Sequence, residues 1–390
     1  MRHPLDLPGY TLEVVYPSSI YSLERHEIVP YERFAADVFR DSVHELTERH
    51  LPPHIIVSFS PIKVDYPEWV INCRVSSDLP SSTLFKIECP QMLPCTLALF
   101  SHIVAPHFRA IATSGEMHGN SPNVSASIQR FIDCISAGVR VFKSNGLASA
   151  IRKAYDTANL TMGAFQDCVD DFDTLAYLIA NHEVAHIYLE QLTGQSNLSQ
   201  EDRRAFEYLA DLVAAEWLFR RYILFTPNDP YYREQLGVSS HAHALAVNSK
   251  WAIASLFSLL VLMGVAGAQR SGGRFNFEGG LIHPGAFGRS WLQQAWILGA
   301  IDAHVASDIG DELMPSVRSF WKKAFGMIIN NGLVTRASMW QAVDENEMQV
   351  IQRAAQIAED RNIEEISPGL EFLRSRIADA QKMRNRLKPE

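Results

Sequence analysis

Between residues 173 and 192, apolar side chains recur at the three- and four-residue spacing of an α-helix. Leu175, Leu178, Ile179 and Leu189 form the stripe, and His182 and His186 fall on it. The pattern predicts a helix with Asp173 as N-cap, the negative charges of Asp170 and Asp171 at its start, and Gly194 just past its end. Residues 200–222 predict a second helix, with Glu207, Asp211, Ala214 and Leu218 on one face. Ala210, Ala214 and Ala215 are small enough for the two helices to pack closely. A short turn over 194–199 returns the second helix antiparallel to the first.

The earlier part of the chain alternates strand and helix signals. Tyr10–Tyr16 is β-rich, and 31–50 reads as a helix with Phe34, Val38, Val43 and Leu46 inward. Three β-type runs follow, at 55–60, 69–75 and 84–89, punctuated by prolines and ended by Pro90. A polar loop at 114–121 marks a boundary. Ser121 and Pro122 open a helix to about Phe142, Asn145 and Gly146 break it, and 147–159 resumes. Further helices are expected at about 284–305, 312–331, 339–359 and 363–386, the last one charged and surface-like. Trp251–Ala268 carries no charge, which suits either a helix buried on all sides or a minimal membrane span. The absence of a second such run favours the buried helix, and the membrane alternative stays open. The expected fold class is α+β: a mostly helical core at 119–310, a mixed α/β lobe at 1–118, and a helical extension at 311–390.

The chemistry sits on the two central helices. His182-Glu183-Val184-Ala185-His186 is an H-E-x-x-H motif. Residues four apart share a helix face, so both imidazoles can grip one Zn²⁺. Glu183, one step round, can reach a metal-bound water as a general base. Glu207 supplies a third ligand. Asp211, one turn later, is placed to accept the free ring N–H of a ligand histidine and fix its tautomer. The bland reading is a pair of core histidines satisfied by carbonyls, with Glu207 and Asp211 a solvated pair. The apolar company of those carboxylates argues against it, because buried charges need partners.

His182-Glu183-x-x-His186 followed by Glu207-x-x-Ala210-Asp211 resembles the gluzincin zinc metallopeptidases. The second helix is similar to the E-x-x-A-D helix of HtpX-like and CAAX-processing, ImmA/IrrE-like and Lit-type phage-exclusion peptidases. The resemblance covers roughly 173–290. It implies a zincin-like core, a zinc ion on His182, His186 and Glu207, and a protein or peptide substrate. The run LIHPGAFGRSW at 281–291 is similar to a His-Pro element downstream of the metal helices in the HtpX-like and Lit-like groups. That likeness implies that His283 and Arg289 steady the oxyanion. Lit-type peptidases cut a host translation factor when a phage protein is present, which implies a phage-defence or regulatory protease. In gluzincins a sheet commonly lies above the metal helix.

Composition changes this picture little. Hydrophobic content of 47% and charged content of 20% are those of an ordinary globular protein. The net charge of −9 speaks against a nucleic-acid partner. Five cysteines without C-x-x-C spacing do not read as a disulfide framework or a structural zinc site. The start has no apolar signal region, so a cytoplasmic enzyme is expected. His241 and His243, two apart on a helix, do not face each other and do not make a second metal site. Three function readings follow. The leading one is a zinc-dependent endopeptidase. The others are a partner-binding or sensor protein with a structural or vestigial zinc site, and a membrane-associated processing protease.

Overall fold

The computed structural model describes residues 2–7, 10–15, 29–62, 73–77, 83–90, 92–114, 124–193, 199–225, 234, 241–270, 286–305, 307–330, 345–363, 366, 370, 374–375 and 377–378. His283, Pro284, Gly194, Ser121, Pro122, the glycine-rich stretch 271–280 and most of 363–386 lie outside them. So do the side chains of Phe34, Val38, His241 and His243.

The chain is mostly helical with a small mixed sheet. An antiparallel hairpin comes first: β1 (Arg2–Leu7) pairs with β2 (Tyr10–Val15), with Leu7 opposite Tyr10. Helix α1 (Val29–His50) follows, burying Phe39, Val43 and Leu46. β3 (Ile56–Ile62), β4 (Arg74–Ser77) and β5 (Leu84–Pro90) form a sheet of order β3-β5-β4. β5 runs parallel to β3 and antiparallel to β4. Along β5 the alternation is that of a half-buried strand: Phe85, Ile87 and Cys89 point inward while Leu84 and Lys86 are exposed. One step beyond the register pair Arg74↔Glu88, Cys73 and Cys89 are joined as a disulfide, with Cα atoms 4.4 Å apart. This corrects the expectation of no disulfide. A cross-strand pair needs only facing positions in a ladder, and its sequence separation of 16 carries no local signal. Cys95, Cys134 and Cys168 are free and buried.

Helices then build the body of the protein. α2 (Leu93–Ile103) and α3 (Ala105–Ser114) lead to α4 (Val124–Ala158), which kinks at Gly146, where φ is 77°. α5 (Met162–Thr193) is the central helix, against which α1, α2, α6, α7 and β4 pack. α6 (Gln200–Phe219) returns alongside it and ends in a π-helical turn at Arg220–Phe225. α7 (His241–Arg270), α8 (Ala286–His304), α9 (Ser307–Asn330) and α10 (Glu345–Asp360) complete the described elements. One connected cluster of buried side chains runs from Phe39 on α1 to Ile377, so residues at both ends of the chain share a core with the central helices.

Two details of α5 differ from the pattern-based expectation. The helix starts at Met162, where Thr161 Oγ1 accepts from the Ala164 N–H at 3.3 Å, so Asp173 is an interior residue and not the N-cap. The helix is also covered on nearly every face. Leu175, Ala176, Tyr177, Leu178, Ala180 and Asn181 are all at most 2% exposed. His182 and His186 are somewhat less covered than these, with side chains 14% and 24% exposed.

The early start leaves Asp171 inside a packed helix. Burial is the main influence on its carboxyl, opposed by Arg109 3.4 Å away and reinforced by Asp170, and pushes it up to about 6. The folded protein thus prefers the neutral acid. That preference contributes stability below the unfolded value of 3.8, and the contribution is lost as pH rises through about 6. Asp171→Asn is expected to raise unfolding free energy by roughly 1–3 kcal/mol at pH 8 and to change it little at pH 4. Urea unfolding at the two pH values checks this; an equal change at both would contradict it.

Among the described residues, α7 is the one helix long and apolar enough to cross a membrane, and 78% of its apolar window, Ala244–Ala266, is buried within the protein. The bent pair α2–α3 passes the same test only if counted as one broken span. Phe257 of α7 shows what covers it. Its ring meets Phe108 of α3 at 4.9 Å and Trp321 and Phe325 of α9 at 5.3 and 5.0 Å.

Candidate metal centre

α5 supplies two imidazoles and α6 the carboxylates. Each helix is fixed locally before the site is assembled. Ser199 caps α6, its hydroxyl accepting from the Asp202 N–H at 3.1 Å. Ala205, Ala210, Ala214 and Ala215 are buried, which lets α6 approach α5 closely. Between the helices, Asn181 Nδ2 donates to the Ala214 carbonyl at 3.3 Å.

On the open side of this pair, three donor atoms converge. His182 Nε2 and His186 Nε2 lie 3.1 Å apart. Glu207 Oε2 is 3.5 Å from His182 Nε2, and Glu207 Oε1 is 3.5 Å from His186 Nε2. A tetrahedral ion with bonds of about 2.0–2.1 Å needs ligand atoms about 3.3 Å apart. The three separations bracket that value, and one ligand atom from each residue lies within 4.8 Å of the other two. The residues present therefore fit a small divalent cation, and three protein ligands leave a fourth position free.

The neighbours of the triad set its electrostatics. Asp211 Oδ1 lies 3.0 Å from His182 Nδ1, so the N–H of that ring belongs on Nδ1 and the lone pair on Nε2. Arg289, in the first turn of α8, grips the same carboxylate with two nitrogens: Nε donates to Oδ2 at 2.5 Å and Nη2 to Oδ1 at 2.6 Å. Its Nη2 also stands 3.3 Å from His182 Nδ1. Burial alone would raise the Asp211 carboxyl; Arg289 and His182 outweigh it and hold it below the usual carboxylate range. At His182, burial and the charge of Arg289 act downward. The hydrogen bonds to Asp211 and Glu207 prevail and lift it to about 9. His186 goes the other way, down to about 4, first through burial and then through its charged neighbours, against the pull of Glu207. Of the two rings, His182 is therefore the one inclined to take up an extra proton, and His186 the one inclined to stay neutral.

Glu183 is buried at 6% exposure, one helical step from His182 and three from His186. The structure thus brings His182, His186, Glu207, Asp211 and Arg289 together, while His283 lies outside the described residues. The sequence had suggested an oxyanion contact for Arg289; its two bonds to Asp211 make it first a holder of that carboxylate.

Pattern reading passed over two groups around α6. Glu216, fully buried, accepts from Arg220 Nε at 2.8 Å and from Trp296 Nε1 of α8 at 3.1 Å. A lone carboxylate within Ala214–Phe219, an otherwise apolar stretch, was the available signal. The second is Glu347 of α10, whose carboxylate takes bonds from Arg204 and Tyr208 of α6. Nothing near Glu347 in the sequence marks it. No protein-family model, curated protein or solved structure matches this chain.

Proposed function

We propose that the protein is a zinc-dependent endopeptidase. The observation that carries this reading is the convergence of His182 Nε2, His186 Nε2 and Glu207 at tetrahedral spacing, with Glu183 in the same turn of α5. Two imidazoles and a carboxylate are a donor set that zinc favours. When bound, zinc supplies a Lewis acid and a water acidified to near neutral pH.

The chain's own residues do the rest. His182, His186 and Glu207 hold the ion on one side and leave the other for water and substrate. Asp211, itself held by Arg289, keeps the Nδ1–H tautomer of His182 and so keeps Nε2 available. Glu183 takes a proton from the attacking water on a carboxylate oxygen and passes it to the leaving amine nitrogen. A carboxylate acting as base has no task in a site kept only for shape, which weighs against a structural or vestigial zinc site. β4 is an edge strand that packs on α5, and an edge strand can offer backbone pairing to an extended peptide. The sequence resemblance to Lit-type peptidases supports a role in defence or regulation, against a protein target.

The test is a screen of the zinc-loaded protein on a degenerate peptide library and on a denatured bacterial proteome, with new N-termini read by mass spectrometry. Cleavage that chelation stops and zinc restores is expected. Full zinc occupancy with no new N-terminus in either pool would favour the partner-binding reading.

A further inference from the structure

Glu347 is a buried carboxylate, 4% exposed, in the first turn of α10. Both of its oxygens are engaged by α6: Arg204 Nη2 bonds Oε2, and the Tyr208 hydroxyl bonds Oε1. Arg204 and Tyr208 are one turn apart on α6, and Glu207 lies between them in sequence. Burying a carboxylate is expensive unless a charge partner and further hydrogen bonds satisfy it, so this contact is a fixed link and not a surface pair. α8 holds the same stretch from another side. Gly288 leaves the space that Tyr208 fills, since a Cβ there would stand 2.4 Å from the Tyr208 hydroxyl oxygen. The next residue, Arg289, holds Asp211. The turn of α6 that carries Glu207 is therefore pinned at Arg204 and Tyr208 by α10 and at Asp211 by α8.

We propose that Glu347 is a positioning residue for the metal centre: through Arg204 and Tyr208 it fixes the turn of α6 that presents Glu207. The inference rests on the metal reading given above. It makes helix α10 part of the site's construction, though no residue of α10 belongs to the triad. Metal ligation tolerates donor displacements of only about 0.2 Å, so a loosened turn weakens binding before it unfolds anything.

The test measures Zn²⁺ affinity by competition with a fluorescent chelator, beside thermal melting of the metal-free protein. Removal of a residue that orients a ligand typically weakens binding about 10–100-fold. Glu347→Ala is expected to show a loss of about tenfold, and Glu347→Gln, which keeps an acceptor for Arg204, to recover most of it. Arg353→Ala is the control. Arg353 also ties α10 to α6, through Asp202 at 3.0 Å, but the pair is solvent-exposed and meets α6 in its first turn, before the stretch that Glu347 grips, so its loss is expected to leave affinity unchanged. Should Glu347→Ala fail to fold, Tyr208→Phe removes one bond to Glu347 and keeps the ring; it is expected to weaken Zn²⁺ binding severalfold. A folded Glu347→Ala or Tyr208→Phe protein with wild-type affinity would overturn the proposal and leave the metal centre standing. An equal loss in Arg353→Ala would also overturn it, by showing that any loosening of α10 suffices. Absence of Zn²⁺ binding by the wild type would sink both this inference and the metal reading.

Discussion

The Glu183→Gln protein is expected to bind zinc as the wild type does and to cleave peptides at least about a hundredfold more slowly, and up to about 10⁴-fold. The two halves of the expectation have separate causes. Glu183 is not among the converging donor atoms, so the amide leaves the triad of His182, His186 and Glu207 intact. An amide of the same shape cannot accept a proton from water, so base catalysis is lost without a change in packing around this buried side chain. The assay uses a peptide identified in the library screen, with zinc content measured on the same preparation. Full turnover in the zinc-loaded variant would remove Glu183 from the mechanism. Loss of zinc would instead mean that Glu183 shapes or joins the ligand set.

Glu207→Ala is expected to take the metal away. Complete four-ligand zinc sites are worth roughly 10–16 kcal/mol, so one ligand carries on the order of 3 kcal/mol. Its loss weakens binding about 10²-fold or more. Elemental analysis after purification is expected to find about one zinc per wild-type chain and a small fraction of that in the variant. The same measurement identifies the ion, since two histidines and a carboxylate with open positions also suit ferrous iron. The variant is expected to keep its fold: α6 is held by Ser199 at its start, by Asn181 at Ala214 and by Glu216 to Trp296, none of which involves Glu207. A wild type that neither contains nor takes up any divalent metal would reduce the histidine pair to a feature of helix packing.

What was legible in the sequence was what a single helix encodes. His182 and His186 share a face because of the helical period, and so do Glu207 and Asp211; each pair is local. Strands β2, β3 and β5 and most of the longer helix bodies were legible for the same reason, since alternation and three-to-four spacing are local patterns; β1, α2 and α3 were not expected. What remained hidden depends on parts of the chain that meet only after folding. The bonds from Arg289 to Asp211 and from Arg204 and Tyr208 to Glu347 span 78, 143 and 139 residues, and no periodicity reports them. The start of α5 was misplaced because the aspartates at 170, 171 and 173 resemble a helix N-terminus. Thr161, further upstream, caps the helix, and Arg109 comes from α3 to meet Asp171. The cover around α5 is non-local as well: α1, α2, α6 and α7 pack on it from parts of the chain far away in sequence.

The groups gathered at the metal centre also imply a preference for ionic valence. Glu183, Glu207 and Asp211 bring three carboxylates to one small region, and Arg289 commits its guanidinium to Asp211. In surroundings this dry, an unbalanced charge is among the costliest of defects. A divalent ion is expected to suit this cluster of carboxylates better than sodium or potassium does. In the metal-free protein a raised affinity of His182 for its proton works in the same direction.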